Sequence, residues 1–153
     1  MQVLPKFQEE YSAKLPALTL LTKLGWEFLS PEAALALRGG KLDEVVLRPV
    51  LRQALAQRHF HFAGQDYPLS ERAIDNIVAQ VCSPALNEGL LNANERMYHQ
   101  LLYGISVTEF VDGKKVTPTV ALIDWHDISQ NIFSFTEEFS VLRSGGVDTR
   151  RPD

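Results

Sequence analysis

The hydrophobic period changes once along this chain, at Gly104, and that change limits what the chain can fold into. Before it, apolar residues recur at helical spacing. Leu15, Leu18, Leu21 and Leu24 stand three apart, with Ala17 and Leu20 widening the stripe. Such a pattern lines one face of an α-helix. Ile74, Ile77, Val78 and Val81 repeat it. After Gly104 the period becomes two. Residues 105–111, the pair Asp112-Gly113 and residues 114–125 predict a β-hairpin, because Asp-Gly tolerates the positive φ angles of a tight hairpin turn. Helices therefore fill most of residues 8–104 and strands most of 105–153. The expected class is α+β, as one domain over residues 1–153.

Punctuating residues divide the helical part. Pro16 places the start, or a kink, of the first helix near itself, and Gly25 is a natural stop. Residues 26–29 are then extended. Ser30-Pro31-Glu32 combines an N-cap with proline in the first turn, opening a short helix to Leu37 that Gly39-Gly40 ends. Pro49 disfavours helix just before it, so residues 45–47 are extended and Val50, Leu51, Ala54 and Leu55 form a short helix. Ser70 caps the next helix. Asn94 caps another, which Gly104 ends. Pro118 gives the second hairpin arm an irregular or edge start. Over 133–141, Phe133, Phe135, Phe139 and Val141 share one strand face, with Ser134, Thr136, Glu138 and Ser140 on the other. Residues 143–146 read as a turn, and 148–153 lead towards a further strand.

Composition narrows the function classes. The chain has 153 residues, 45% hydrophobic and 22% charged, enough for one core. Its net charge of -4 excludes a whole-surface basic field for nucleic acid but allows a local patch. Cys82 is the sole cysteine, so no internal disulfide forms and a reducing compartment fits. Residues 1–14 contain no signal-peptide core, and no apolar run is long enough to span a bilayer. The expectation is a cytoplasmic protein without a membrane segment.

Several side chains invite chemistry. His59 and His61 share one face if 59–62 is a strand, but a metal site would need a third ligand such as Cys82 or His99. Structural zinc sites carry tighter sets, so none is expected. Cys82 reads as a small core residue, and Trp26 and Trp125 as core or rim packing. Gly39-Gly40-Lys41 lacks the strand, spacing and hydroxyl of a phosphate-binding P-loop. Asp124, at a strand end, reads as a brace for the following turn. Arg38, Lys41, Arg48 and Arg52 read as ordinary surface, open to an approach by DNA. Arg143, Arg150 and Arg151 form a local basic cluster suited to phosphate contacts, with an exposed, charge-paired loop as the alternative.

The order of segments resembles the N-terminal region of the restriction (motor, R) subunit of type I restriction–modification enzymes. The resemblance is carried by residues 24–29 (LGWEFL), 36–49 (ALRGGKLDEVVLRP) and 70–78 (SERAIDNIV). It continues through VTEFVDGKKV of the hairpin, 121–125 (ALIDW), 131–141 (NIFSFTEEFSV) and 150–153 (RRPD). It covers nearly the whole chain, and its specificity lies in the ordered series. It implies a PD-(D/E)xK endonuclease fold, a mixed β-sheet flanked by helices, incomplete at the carboxyl end. Asp153 matches the aspartate of the PD pair, and the Glu-x-Lys that follows in the family is not present, so the chain is expected to be a fragment inactive on its own.

The resemblance further implies Mg²⁺ as cofactor, with Asp153 and Glu10 as catalytic metal ligands. Two carboxylates can hold such a cation against a scissile phosphate. Lys14 stands where relatives often carry a second acidic residue. The other reading of Glu10 is a charged helix start favoured by the helix dipole. ATP belongs to downstream motor domains. The implied partners are double-stranded DNA and the modification and specificity subunits. A missing strand would leave a sheet edge open to self-association. The alternative role is a non-catalytic module that docks subunits or binds DNA.

Overall fold

The computed structural model describes residues 10–83, 87, 89–142 and 149–150, and for Glu10 and Tyr11 the backbone alone. The chain enters through a wide helical turn, Glu10–Lys14, that runs into α1 (Leu15–Lys23). Pro16 sits in the first turn of α1, where no intrahelical partner for its nitrogen is needed. β1 (Glu27–Leu29) and α2 (Pro31–Leu37) follow. Ser30 caps α2 by accepting from the Ala33 amide at 3.2 Å. α3 (Arg48–Ala56) leads to the hairpin β2 (His59–Phe62) and β3 (Gln65–Pro68), and then to α4 (Glu71–Cys82). Ser70 caps α4 in the same way. α5 spans Leu90–Tyr103. The expected Asn94 cap is overturned: α5 begins five residues earlier, behind Gly89, and Asn94 lies inside it.

The long hairpin forms as the alternation requires. β4 (Ile105–Ser106) pairs β7 (Thr119–Val120), and β5 (Glu109–Val111) pairs β6 (Lys114–Val116). Both ladders share one register, Ile105 opposite Val120 and Glu109 opposite Val116. The gap between them falls beside Pro118, which has no amide to give the ladder. Asp112 and Gly113 have φ of 49° and 77°, as a type I′ turn demands.

The core lies between α4, α3 and the two hairpins. Leu55, Phe60, Leu69, Ala73, Ile74, Ile77, Val78, Ile105, Val107, Val111 and Val120 form one buried cluster, with Cys82 packed against it. Burial of a side chain like Ile77 contributes about 2 kcal/mol. Glu109 is buried beside this cluster and accepts from the Ser70 amide at 2.8 Å, which fastens the hairpin to the N-terminal end of α4.

The last segments are β8 (Ser134–Thr136), β9 (Val141–Leu142) and β10 (Thr149–Arg150). β8 runs parallel to β1, and β9 pairs β10 antiparallel. The architecture is α+β. Its described strands form five two-stranded ladders in place of one continuous sheet. The single strand read over 133–141 is broken at Glu138, whose φ is 55°. No helix among the described residues is long and apolar enough to cross a membrane.

Candidate functional site

Residues 137–142 are where the turn Glu10–Lys14 and β10 meet. Glu137 and Glu138 hold the ammonium group of Lys14, at 2.7 and 3.5 Å, and so fasten the opening turn. Both partners are about a third exposed, so the pairs position the turn more than they stabilise it. The Glu137 hydrogen bond raises the Lys14 pKa above its usual 10.5. Ser140 accepts from the Arg38 guanidinium at 3.1 Å, and the Leu142 amide donates to Leu42 at 2.8 Å. Val141 and Leu142 pair with Arg150 and Thr149.

The expected site residues fall around this segment. Glu10 opens the wide turn whose last residue is Lys14, about one helical turn away. Arg150 is exposed on β10. Asp153, Arg143 and Arg151 lie outside the described residues. Among the described residues no three His, Cys, Asp or Glu side chains gather as metal ligands. Glu137 and Glu138, the carboxylates on the segment itself, already face the Lys14 cation.

Asp124 braces its loop, as read from sequence. Its Oδ1 accepts from the amides of Asp127 at 2.9 Å and His126 at 3.0 Å. Those amides, the Asp127 one first, hold its carboxyl below the usual 3.8. Asn131 completes the brace. Its side chain accepts from the Asp124 amide at 2.9 Å and donates to the Asp124 carbonyl at 2.9 Å. Arg58, which sequence reasoning missed, enters the same knot. It is buried, donates to Asn131 Oδ1 at 3.0 Å and to the Gln130 carbonyl at 3.2 Å, and lies 3.7 Å from Asp124 Oδ2. A single arginine following an apolar helix gives no sequence signal of this kind.

The second basic group needs correction. Arg38 is not surface: it is 5% exposed, and its guanidinium stacks 4.1 Å over the Phe139 ring. Arg48 pairs with Glu44, and Arg52 with Glu71 and Asp75, as exposed or half-buried surface pairs. His59 and His61 share an exposed face of β2; His61 contacts Asp66 at 2.8 Å and His59 the Gln57 carbonyl. Trp26 stacks on Phe133, and Trp125 Nε1 donates to the Leu101 carbonyl. Burial raises the Cys82 thiol pKa above its usual 9.0, the opposite of an activated nucleophile.

The fold, α+β with its opening turn and β10 brought onto one segment, is consistent with a nuclease-like N-terminal domain. The family of the type I restriction enzyme R protein N terminus matches residues 6–153, and this chain belongs to that family. It is thus an N-terminal region of a type I restriction enzyme R subunit. No curated protein and no solved structure matches the chain.

Proposed function

We propose that this chain forms the amino-terminal part of a PD-(D/E)xK nuclease site that cleaves double-stranded DNA within the R subunit. The observation that carries this reading is the shared docking of two segments on residues 137–142. One is the opening turn bearing Glu10, held by Lys14; the other is β10, which ends three residues before Asp153. In this reading Glu10 and Asp153 hold Mg²⁺, which supplies charge stabilisation at the scissile phosphate and a more acidic attacking water. In the same reading Arg143, Arg150 and Arg151 take backbone phosphates. The remaining carboxylate and lysine come from outside residues 1–153, so the chain alone is inactive. ATP-driven translocation, and assembly with modification and specificity subunits, belong to the whole enzyme.

The experiment is incubation of supercoiled plasmid with Mg²⁺, ATP and either this chain or the complete R subunit in its assembled enzyme. Cutting by the assembly alone is expected; robust cutting by the 153-residue chain contradicts the reading.

A second reading, a subunit-docking module, is favoured by α1. That helix has no buried residue: Leu15 is 43% and Leu20 57% exposed, and Leu24 just after it is 63% exposed. An uncovered leucine face is a surface for another protein segment. Cleavage that survives loss of Asp153 would favour this second reading.

A further inference from the structure

A surface helix normally turns its apolar face inward, but α5 shows apolar groups to water. Ala93 is its one buried residue, while Leu90, Leu91 and Tyr98 are each more than half exposed. Leu91, Asn94, Tyr98 and Leu101 follow one another at steps of three, four and three, so they share one stripe of the helix. Beside the carboxyl end of that stripe stands Trp125, whose indole donates to the Leu101 carbonyl at 3.2 Å. Trp125 and Ile128, just after it, are also more than half exposed. A contiguous patch of this kind marks an interaction surface.

The stripe is its own complement. With the α5 of a second copy laid antiparallel on a twofold axis beside Arg96, Leu91 of each copy faces Leu101 of the other, since each lies five residues from the axis. Asn94 likewise faces Tyr98, each two residues from it. The Asn94 amide and the Tyr98 hydroxyl have no hydrogen-bond partner among the described residues, and across the axis the phenol can donate to the amide oxygen. A single polar residue in an apolar helix seam is a device that fixes register. Leu90 and Leu91 at the amino end of one helix meet Trp125 and Ile128 at the carboxyl end of the other. Leu90, Leu91, Tyr98, Leu101, Trp125 and Ile128 together expose on the order of 700 Å², close to the ~800 Å² that each partner buries in a standard interface.

We infer that α5 is the docking face for a second copy of this chain, paired antiparallel across that axis. The pairing is independent of the nuclease reading and its metal ligands. It uses neither the α1 leucines nor an open sheet edge.

The test is sedimentation equilibrium of this chain at rising concentration, with the complete R subunit in parallel. No cleavage is read, so failure of the nuclease reading does not decide the outcome. A monomer–dimer equilibrium is expected for both. Leu91→Glu, an exposed change checked for folding by circular dichroism, sets a charge in the seam and is expected to weaken the dimer about tenfold or more. Tyr98→Phe removes only the hydroxyl and is expected to weaken it severalfold. Leu20→Glu, on α1, is expected to leave it unchanged. In a mixture of isotope-labelled and unlabelled copies, filtered NOEs are expected to join the Leu91 methyls of one copy to the Leu101 methyls of the other. The inference is overturned if the chain stays monomeric at submillimolar concentration, if Leu91→Glu associates as the parent does, or if Leu20→Glu abolishes association. A complete R subunit that stays monomeric overturns it too; α5 amides protected from exchange there would identify another segment of the subunit as the occupant.

Discussion

Lys14 Nζ lies 2.7 Å from Glu137 Oε2, and this contact holds the opening turn of the chain against the segment that β10 also joins. The candidate site exists only if those two docking events coincide. Because Lys14 has a raised pKa when folded, its contribution is fully present below 10.5 and is lost as pH rises through the folded value.

Lys14→Glu sets a third carboxylate against Glu137 and Glu138. Amide exchange in α1 is expected to quicken at neutral pH while the α4 core keeps its protection. In the parent protein the same quickening is expected only in strongly alkaline solution. Unchanged exchange in α1 of the variant would contradict the docking role.

Arg58→Met removes the buried donor shared by Asn131 and Gln130 and leaves Asp124 without its cation. A loss of about 3 kcal/mol is expected in chemical denaturation, from stranded acceptors rather than lost volume. A loss within about 0.5 kcal/mol, the range of an ordinary surface change, would contradict the knot.

Asp124→Asn tests the same loop by pH. Asp124 has a folded pKa below 3.8, so its carboxylate stabilises the fold above that value and the effect is lost as pH falls through the folded pKa. The parent is expected to be more stable than the variant near neutral pH, with the gap closing in acid. A gap that is constant with pH would contradict the amide contacts.

Gly104→Ala is expected to cost about 3 kcal/mol or more. Gly104 has φ of +86°, and an added Cβ would stand 2.4 Å from the Val120 carbonyl oxygen. A thermal midpoint unchanged from the parent would contradict the close approach of α5 to β7.

Local chemistry made much of this fold readable. Ser30 and Ser70 cap the helices they precede, Gly104 ends α5, and Asp112-Gly113 turns the hairpin, because each acts within a few residues. Asn94 misled because it is a good cap in isolation, while Leu90 and Leu91 carry α5 past it to Gly89. The 133–141 alternation promised one strand, and Glu138 breaks it with a left-handed turn that Lys14 draws towards itself. Arg38 reads as surface until Phe139 and Ser140, far along the chain, fold over it. Asp124 was readable as a brace from its place after a strand; its partner Arg58 was not, since the knot forms only in three dimensions. Of the candidate site, the resemblance supplied Glu10 and Asp153, while the segment that both Lys14 and β10 join is visible only in the fold.

The most direct test of the nuclease account is Asp153→Ala in the assembled R-subunit enzyme, scored by Mg²⁺-dependent linearisation of supercoiled DNA in the presence of ATP. If Asp153 holds the cation, the variant is expected to cut about a hundredfold or more slowly while the protein remains folded. Linearisation at the parent rate would show that the carboxylate holds no essential cation, and the account would fail.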